Sequence, residues 1–170
     1  MSPMPIVVFI GPPASGKSKV GRRVAALLNT KIIDTDKVVE AAHGPIPDIF
    51  AKHGEATFRG YEREAVHEAL QENAVVSLGG GAILDEDTQN ELKDLPVVLM
   101  DVSADAVKDR VGGPKRPLLK DGIEAWKKLY EQRDPIHRRL ASYVCDTSDG
   151  DLDRIASEIV QWLRSQKETR

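Results

Sequence analysis

The sequence has a single cysteine, no excess of positive charge and no long hydrophobic run. Cys145 cannot form an internal disulfide, which fits a reducing cytoplasm. A net charge of −3 gives no electrostatic reason to expect nucleic acid or an anionic membrane as a partner. The apolar runs are too short to span a bilayer, and the start "MSPMPIVVFIG" lacks the pattern of a secretion signal. We therefore expect a cytoplasmic protein that binds small anionic ligands.

Short apolar runs alternate with segments of helix length, and we find no internal repeat. The runs are rich in Val and Ile and nearly unbroken, as expected for parallel strands that are covered on both faces. This alternation predicts one α/β domain, a parallel sheet wrapped by helices. The predicted strands are Ile6–Ile10, Lys31–Asp34, Ala74–Leu78, Pro96–Asp101 and Ser142–Asp146. The predicted helices are Lys17–Leu28, Glu55–Glu72, Glu86–Leu92, Ala104–Arg110, Ile123–Arg139 and Leu152–Arg164. Cys145 is interpreted as a buried strand residue, the alternative being a nucleophile that would need a nearby base.

The segment "GPPASGKS" follows the first strand and opens the first helix, matching the phosphate-binding pattern G-x-x-x-x-G-K-[ST]. Backbone N–H groups of such a loop converge on phosphate oxygens at a helix N-terminus. Lys17 is expected to reach the terminal phosphates, and the Ser18 hydroxyl to ligate Mg²⁺. The alternative is a glycine loop that only turns the chain. The predicted nucleotide-binding residues of this segment are Gly11, Pro12, Pro13, Ala14, Ser15, Gly16, Lys17, Ser18 and Lys19.

Two carboxylates follow the second strand in "KIIDTD". In an extended strand end Asp34 and Asp36 would point to the same side, where ligands of such sheets bind. The alternative for Asp36 is an N-cap of the next helix. Asp101 ends a similar apolar strand, and we interpret it as a helix cap before "SADAV".

The helix predicted from Glu55 places Glu55, Arg59 and Glu62 within one arc that borders its inward face. An inward arginine flanked by carboxylates can hold an anionic substrate, because its planar fork matches a carboxylate. The alternative is a solvated ion pair between residues four apart.

Three glycines, Gly79, Gly80 and Gly81, come directly after a strand. They predict a close approach of the backbone to a ligand at the carboxyl end of that strand. The alternative is a sharp turn with positive φ, and both could hold together.

The stretch Val111–Gly122 contains two prolines and three glycines and predicts a long loop that could close over a transferring phosphoryl group through Arg116. The alternative is a solvated surface loop. Arg110 and Arg133, judged by spacing alone, would be surface charges.

Taken together, these segments resemble the shikimate kinase family from about Ile6 to Asp146. The phosphate loop, "DTD", "DIFAKHGEATFR", "SLGGG", "GGPKRPLL" and "RDPIHRR" occur in that family's order and spacing. The resemblance implies a three-layer α-β-α fold of the nucleoside-monophosphate-kinase-like P-loop type, with five parallel strands in the order 2-3-1-4-5. It also implies a single kinase domain with an acceptor-binding region at about 36–62 and a lid at about 111–122. The polar composition of the end of the chain predicts a frayed tail at 165–170.

The resemblance further implies transfer of the ATP γ-phosphate, with Mg²⁺, to the 3-hydroxyl of shikimate in aromatic amino acid biosynthesis. Lys17, Asp36 and Arg116 would be catalytic, with Asp36 as base and Arg116 as the lid arginine. Asp34 would support the metal together with Ser18, and Arg110 would pack on adenine. Shikimate would be bound by Asp36, Arg59, Gly79, Gly80, Gly81 and Arg133. We expect no nucleic-acid or membrane partner, and a monomer.

The sequence departs from the family at two positions of the loop, with Ala14 where the family has Gly and Lys19 where it has Thr. Ala14 is expected to need a φ that a Cβ tolerates. Two other functions stay open: a related kinase with another acceptor such as gluconate, and a nucleotide-driven switch. Asp36, Arg59 and Arg133 argue against the first, and the absence of a guanine-reading N-K-x-D stretch argues against the second.

Overall fold

Five short strands form one parallel sheet in the order β2-β3-β1-β4-β5, as the resemblance implies. The computed structural model describes residues 3–111 and 122–168. The strands are β1 (Val7–Ile10), β2 (Ile32–Asp34), β3 (Val75–Ser77), β4 (Val97–Asp101) and β5 (Tyr143–Asp146). The helices are α1 (Lys17–Leu27), α2 (Thr35–His43), α3 (Ile46–Ala69), α4 (Glu86–Leu92), α5 (Ala104–Val111), α6 (Gly122–Leu140) and α7 (Leu152–Glu168). A short 3₁₀ helix covers Ala82–Leu84.

The core lies on both faces of the sheet, because successive strand residues point to opposite sides. Val7 and Phe9 of β1 pack with residues of α1 and α7 on one face. Val8 and Ile10 pack with residues of α3 and α4 on the other face. Both faces of β1 are thus covered, which explains its unbroken apolar run.

The register of the sheet brings three strand ends together. Val8 of β1 pairs with Val76 of β3, and Ile33 of β2 pairs with the same residue from the other side. β1 leads into the phosphate loop, β2 into Asp34, and β3 into the glycine run. Ligands of open parallel sheets bind outside these carboxyl ends, so the topology alone places the site there.

Four expectations about the helices need correction. The sequence pattern did not place α2 or the first part of α3, although the resemblance implies a helical acceptor-binding region. Helix α3 ends at Ala69 and not at the predicted Glu72. Helix α7 continues beyond the predicted end at Arg164, so the tail predicted to fray from 165 is helical as far as Glu168. Asp101 does not cap α5: its Oδ1 accepts hydrogen bonds from the Val102 N–H and the Tyr130 hydroxyl, and its Oδ2 accepts one from Arg138. The side chain that accepts from the first turn of α5 is Ser103, bonded to the Ala106 N–H.

Cys145 is a buried residue of β5, as expected, and burial raises the pKa of its thiol to about 11. The thiol is therefore protonated at neutral pH, which removes the alternative of a nucleophile. Among residues 3–111 and 122–168, no helix has the length and apolar character needed to cross a membrane. The predicted loop with Lys115 and Arg116 lies outside the described residues.

Candidate active site

The phosphate loop runs from β1 into the N-terminus of α1. Gly16 caps the helix with a left-handed backbone (φ 89°), and Gly11 has φ 151°. A Cβ at Gly11 would lie 2.4 Å from the Met100 carbonyl oxygen, so the loop leaves the sheet where only glycine fits. Ala14 also has a left-handed backbone, with φ 66°, which a residue with a Cβ tolerates at a cost of about 1–2 kcal/mol.

Lys17 folds back over this loop. Its Nζ donates to the carbonyl oxygens of Gly11 (2.8 Å) and Pro12 (3.0 Å). Burial lowers the pKa of Lys17 to about 8, although the carboxylates of Asp36 and Asp34 oppose the shift. At neutral pH the ammonium is therefore a desolvated cation, and such a charge interacts strongly with phosphate oxygens.

The Ser18 hydroxyl and the Asp34 carboxylate meet beside Lys17. Ser18 Oγ donates to Asp34 Oδ2 at 2.6 Å, and Asp34 Oδ1 accepts from the backbone N–H groups of Asp36 and Lys37. Asp34, and not Asp36, is thus the N-cap of α2. The strand end is not extended as far as Asp36, because helix α2 begins at Thr35 and Asp36 lies in its first turn.

The three glycines after β3 lie against three side chains that come from different elements. A Cβ at Gly79 would lie 2.4 Å from Asp36 Oδ1, and a Cβ at Gly81 would lie 2.4 Å from Arg59 Nη1. A Cβ at Gly80 would lie 3.4 Å from Arg133 Nη1. None of the three has positive φ, so the alternative of a turn that needs positive φ is wrong. Their function is close approach, which brings Asp36, Arg59 and Arg133 to one short stretch of backbone.

Arg59 lies between two carboxylates of its own helix. Its guanidinium contacts Glu62 at 2.8 Å and Glu55 at 3.4 Å. Burial raises the pKa of Glu62, and the hydrogen bond from Arg59 opposes the shift. The inward orientation and the ion pair are therefore both present, and Glu62 fixes one edge of the guanidinium.

Arg133 belongs to α6 and is half-buried near Arg59. Burial and the Arg59 cation together lower the pKa of Arg133, while Glu62 and Glu55 oppose the shift. The Arg59 and Arg133 guanidinium groups together form an electropositive site, and an anionic ligand bound there would offset the repulsion between them.

The Asp36 carboxyl is close to two cations, the Lys17 ammonium and the Arg59 guanidinium. Burial and the neighbouring Asp34 raise its pKa, whereas Lys17 and Arg59 lower it. A raised pKa makes a carboxylate a stronger base, which suits Asp36 to accept a proton from a hydroxyl.

One cavity of about 660 Å³ contains part of this site. Its walls combine the phosphate loop with the ends of β2 and β3 and with Arg110. Pro13, Ala14, Ser15, Gly16, Lys17, Ser18, Lys19, Asp34, Asp36, Gly79 and Gly80 all line it. Gly11 and Pro12 are buried at the start of the loop and do not line the cavity. Arg59 and Arg133 do not line it either, and lie against Gly81 and Gly80.

Arg110 connects the loop to the segment that follows β5. Its Nη1 donates to the carbonyl oxygen of Ala14 (2.9 Å) and to Thr147 Oγ1 (3.3 Å), and its Nη2 donates to the Thr147 carbonyl oxygen. It is not the surface charge that spacing alone suggested, and it lines the cavity. Arg116, predicted as the lid arginine, lies outside the described residues.

Two residues that contact the loop were missed from the sequence. Trp126 Nε1 donates to the Pro13 carbonyl oxygen (2.8 Å), and Thr147 Oγ1 donates to the Ser15 carbonyl oxygen (2.7 Å). Trp126 precedes Arg133 by seven residues, and this spacing places both on one face of α6. That periodicity was the available signal for Trp126, whereas Thr147 had only its position after a strand.

The comparisons with known proteins agree with this geometry. The family model described as shikimate kinase matches residues 13–164. A shikimate kinase of Corynebacterium efficiens is 40% identical over 163 residues, which cover 94% of this chain and 96% of the relative. A solved shikimate kinase from Acinetobacter baumannii, in complex with shikimate, superposes with a TM-score of 0.88 at 33% identity, covering 97% of this chain and 95% of that one. A gluconokinase from Sinorhizobium meliloti shares the fold, with a TM-score of 0.63 at 18% identity.

A phosphate loop between β1 and α1, in a five-stranded parallel sheet of this order, defines a small-molecule kinase of the nucleoside-monophosphate-kinase-like class. Both the family model and the relative of 40% identity cover nearly the whole chain. The chain belongs to the shikimate kinase family.

Proposed function

We propose that this protein transfers the γ-phosphate of ATP to the 3-hydroxyl of shikimate, giving shikimate 3-phosphate and ADP, through the residues of the cavity described above. The observation that carries the proposal is the position of Asp36. Its carboxyl lines the same cavity as the phosphate loop and lies against Gly79, beside two arginines that approach the same glycine run. Donor and acceptor groups therefore converge on one carboxylate.

Arg59 and Arg133 are proposed to bind the acceptor carboxylate. Each guanidinium can donate two parallel hydrogen bonds to a carboxylate, and the two come from separate helices, α3 and α6. A carboxylate between them would offset the burial and the repulsion from Arg59 that together lower the pKa of Arg133. Fixing a rigid ring in this way would set the direction in which its hydroxyl points.

Asp36 is proposed as the general base. Burial and the proximity of Asp34 raise its pKa. Its carboxyl is near the Lys17 ammonium, the cation of the phosphate loop. The acceptor hydroxyl would give its proton to Asp36 as the phosphoryl group is transferred. Lys17 would stabilise the negative charge that develops on the phosphoryl oxygens, and Arg116 is proposed to do so from the lid.

Ser18 and Asp34 are proposed to hold Mg²⁺. Their oxygens are 2.6 Å apart beside the phosphate loop, and Mg²⁺ commonly takes one or two protein oxygens together with waters and substrate phosphates. The described residues contain no group of three or more His, Cys, Asp or Glu side chains that could hold a metal ion. Ser18 and Asp34 therefore suit a metal ion whose other ligands come mainly from the nucleotide and water. When bound, the metal would neutralise charge on the phosphates.

We also propose that the chain acts as a single kinase domain, monomeric and in the cytoplasm, with acceptor contacts from about 36–62 and a lid at about 111–122. A buried, protonated Cys145 fits a reducing compartment. Size-exclusion chromatography with light scattering tests the monomer directly.

The experiment that tests the function measures ADP release with shikimate, gluconate, a nucleoside monophosphate or no acceptor, using ATP or GTP as donor. We expect turnover with shikimate and ATP only. A kcat/KM for gluconate as high as the value for shikimate would contradict shikimate as the specific acceptor and support the related kinase. ADP release without any acceptor would indicate a nucleotide hydrolase.

A further inference from the structure

The first five carbonyl groups of the phosphate loop all accept hydrogen bonds from side chains. Every carbonyl from residue 11 to residue 15 accepts a hydrogen bond from a side-chain donor, and three of these donors lie far away in the sequence. The pairs are Gly11 and Pro12 with Lys17, Pro13 with Trp126, Ala14 with Arg110, and Ser15 with Thr147.

These bonds fix the direction of the amide groups. In a planar trans peptide the C=O and the following N–H point in opposite directions. The Pro13 carbonyl points at Trp126, so the N–H of Ala14 points away from α6. The Ser15 carbonyl points at Thr147, so the N–H of Gly16 points away from the β5 end. Among the described residues, neither N–H has a hydrogen-bond acceptor, and both residues line the cavity.

The sequence of this loop makes those two amides important. Pro12 and Pro13 have no N–H group, so two potential phosphate donors are missing. The N–H of Ser15 already makes a long bond, at 3.4 Å, to the Pro12 carbonyl. The remaining donors must therefore be well oriented if the loop is to bind a chain of phosphates.

We propose that Trp126 and Thr147 are positioning residues for nucleotide binding: they hold the Pro13 and Ser15 carbonyls so that the amides of Ala14 and Gly16 face the phosphates. Neither residue touches the nucleotide in this proposal. The inference rests on the proposed function only in placing a nucleotide in the cavity.

Trp126 is itself held rigidly. It is 8% exposed, its ring stacks on Tyr130 with centroids 5.2 Å apart, and the Tyr130 hydroxyl donates to Asp101 at 2.8 Å. The donor is thus fixed before a ligand arrives, and a loop ordered in advance loses less entropy on binding.

The first experiment measures the dissociation constant of ADP by calorimetry for the full chain and for Trp126→Phe, which keeps an aromatic ring but loses the N–H. The matched control is Trp162→Phe, because Trp162 lies on α7 and packs against Tyr143 away from the cavity. We expect the Kd of ADP to rise about threefold to tenfold for Trp126→Phe, the range that one neutral hydrogen bond controls. The control variant and the KM for shikimate should stay within a factor of two.

The second experiment uses Thr147, in case Trp126→Phe disturbs folding. Thr147→Val keeps the shape and removes the hydroxyl, whereas Thr147→Ser keeps the hydroxyl. We expect weaker ADP binding for Val and near wild-type binding for Ser. The melting temperature should fall for Val, because buried groups including the Ser15 carbonyl lose their partner, and should stay near the wild-type value for Ser.

The outcomes separate the two proposals. If wild type binds ADP and both Trp126→Phe and Thr147→Val bind it equally well, the positioning role is wrong and the proposed function stands. The role is also wrong if these variants lose ADP and shikimate affinity alike in proportion to their loss of thermal stability. If wild type binds no nucleotide, the proposed function itself is wrong.

Discussion

At the scale of single residues, the two arginines beside the glycine run decide what the acceptor can be. Arg59 is oriented by Glu62, which is 4% exposed, and Arg133 reaches the same place from another helix. A lysine at position 59 would keep the charge but lose the planar fork that matches a carboxylate. Charge and geometry can therefore be separated by experiment.

We expect Arg59→Lys to raise the KM for shikimate about tenfold or more and to leave the KM for ATP nearly unchanged. A charge-assisted hydrogen bond contributes about 1.5–3 kcal/mol, which corresponds to roughly 10–150-fold in affinity. Steady-state kinetics with each substrate varied in turn gives both constants. In a double-mutant cycle, Arg59 and Arg133 should be coupled for shikimate but not for a neutral ester of it. Equal shifts of both KM values would instead make Arg59 a structural ion-pair residue.

Asp36→Asn keeps the shape of the side chain and removes the base. We expect kcat to fall by about 10²–10⁴-fold, with a smaller change in the KM for shikimate, because general-base catalysis acts in the transition state. Rapid-quench or coupled assays at saturating substrates measure the loss. A fall of less than threefold would restrict Asp36 to binding the substrate.

Ala14 has a left-handed backbone that costs an alanine about 1–2 kcal/mol and a glycine almost nothing. The greater backbone freedom of glycine also stabilises the unfolded chain by about 0.4–1 kcal/mol, which offsets part of the relieved strain. We therefore expect Ala14→Gly to raise the free energy of unfolding by up to about 1 kcal/mol. Urea denaturation measures it. A clear loss of stability would show that the Ala14 methyl group, which packs near Val107 and Trp126, outweighs the strain.

At the scale of elements, α3 is two helices joined at Gly54, which has φ 84° and ψ 170°. Non-glycine residues almost never adopt this conformation. The break ends the first part and sets the direction of the second part, which carries Arg59 and Glu62. Gly60 lies in the regular second part with open space around its missing Cβ, and it provides a matched control.

We expect opposite effects of the same substitution at these two glycines. Gly54→Ala should lower the free energy of unfolding by about 1–3 kcal/mol, because the alanine is strained there. Gly60→Ala should raise it by about 0.5–1 kcal/mol, because alanine favours helix. Chemical denaturation of both variants gives the comparison. If Gly54→Ala is neutral, the two parts of α3 can form one continuous helix, and the break has another cause.

The elements that could be predicted are those with an unbroken local pattern. The five strands were placed to within a residue at each end. The apolar runs of the inner strands β1, β3 and β4 are buried on both faces, whereas the edge strands β2 and β5 are only partly buried and were recognised from their short apolar runs. Helix α2 was missed because it follows β2 without a turn and takes its cap, Asp34, from the strand itself. The first part of α3 was missed because it is short: Pro45 and Pro47 stand at its start, and Gly54 ends it. The glycine run was recognised, but its pairing with Asp36, Arg59 and Arg133 depends on the packing of α2, α3 and α6.

At the scale of the whole molecule, a buried histidine connects acidity to stability. His137 on α6 is 2% exposed, and among the described residues its Nε2 has no hydrogen-bond partner. Burial, with the nearby cations of Lys17 and Arg133, lowers its pKa from 6.5 to about 4, against the opposing carboxylates of Asp134 and Asp101. Between these two pKa values the unfolded chain binds the proton more strongly, so stability rises with pH there and is lost on acidification.

We expect wild type to lose about 2 kcal/mol of folding free energy through this group between pH 6.5 and 4.5. His137→Phe, which fills the same space without titrating, should show a correspondingly shallower pH dependence in that window. His53→Phe, on the exposed surface of α3, is the control and should retain the wild-type slope. Urea denaturation across this pH range measures all three. Parallel curves for wild type and His137→Phe would assign the acid sensitivity to other groups.

The glycine run limits how this protein can change by mutation. Every single-base change of a glycine codon that alters the residue adds at least a Cβ or stops translation, and at positions 79 and 81 that atom would overlap Asp36 or Arg59. A lineage that evolves towards another acceptor therefore has no substitution at these two positions that leaves Asp36 and Arg59 where they are. A change of acceptor can begin with substitutions of the surrounding side chains, Arg59 and Arg133 first. The two glycines have to be kept while these side chains change.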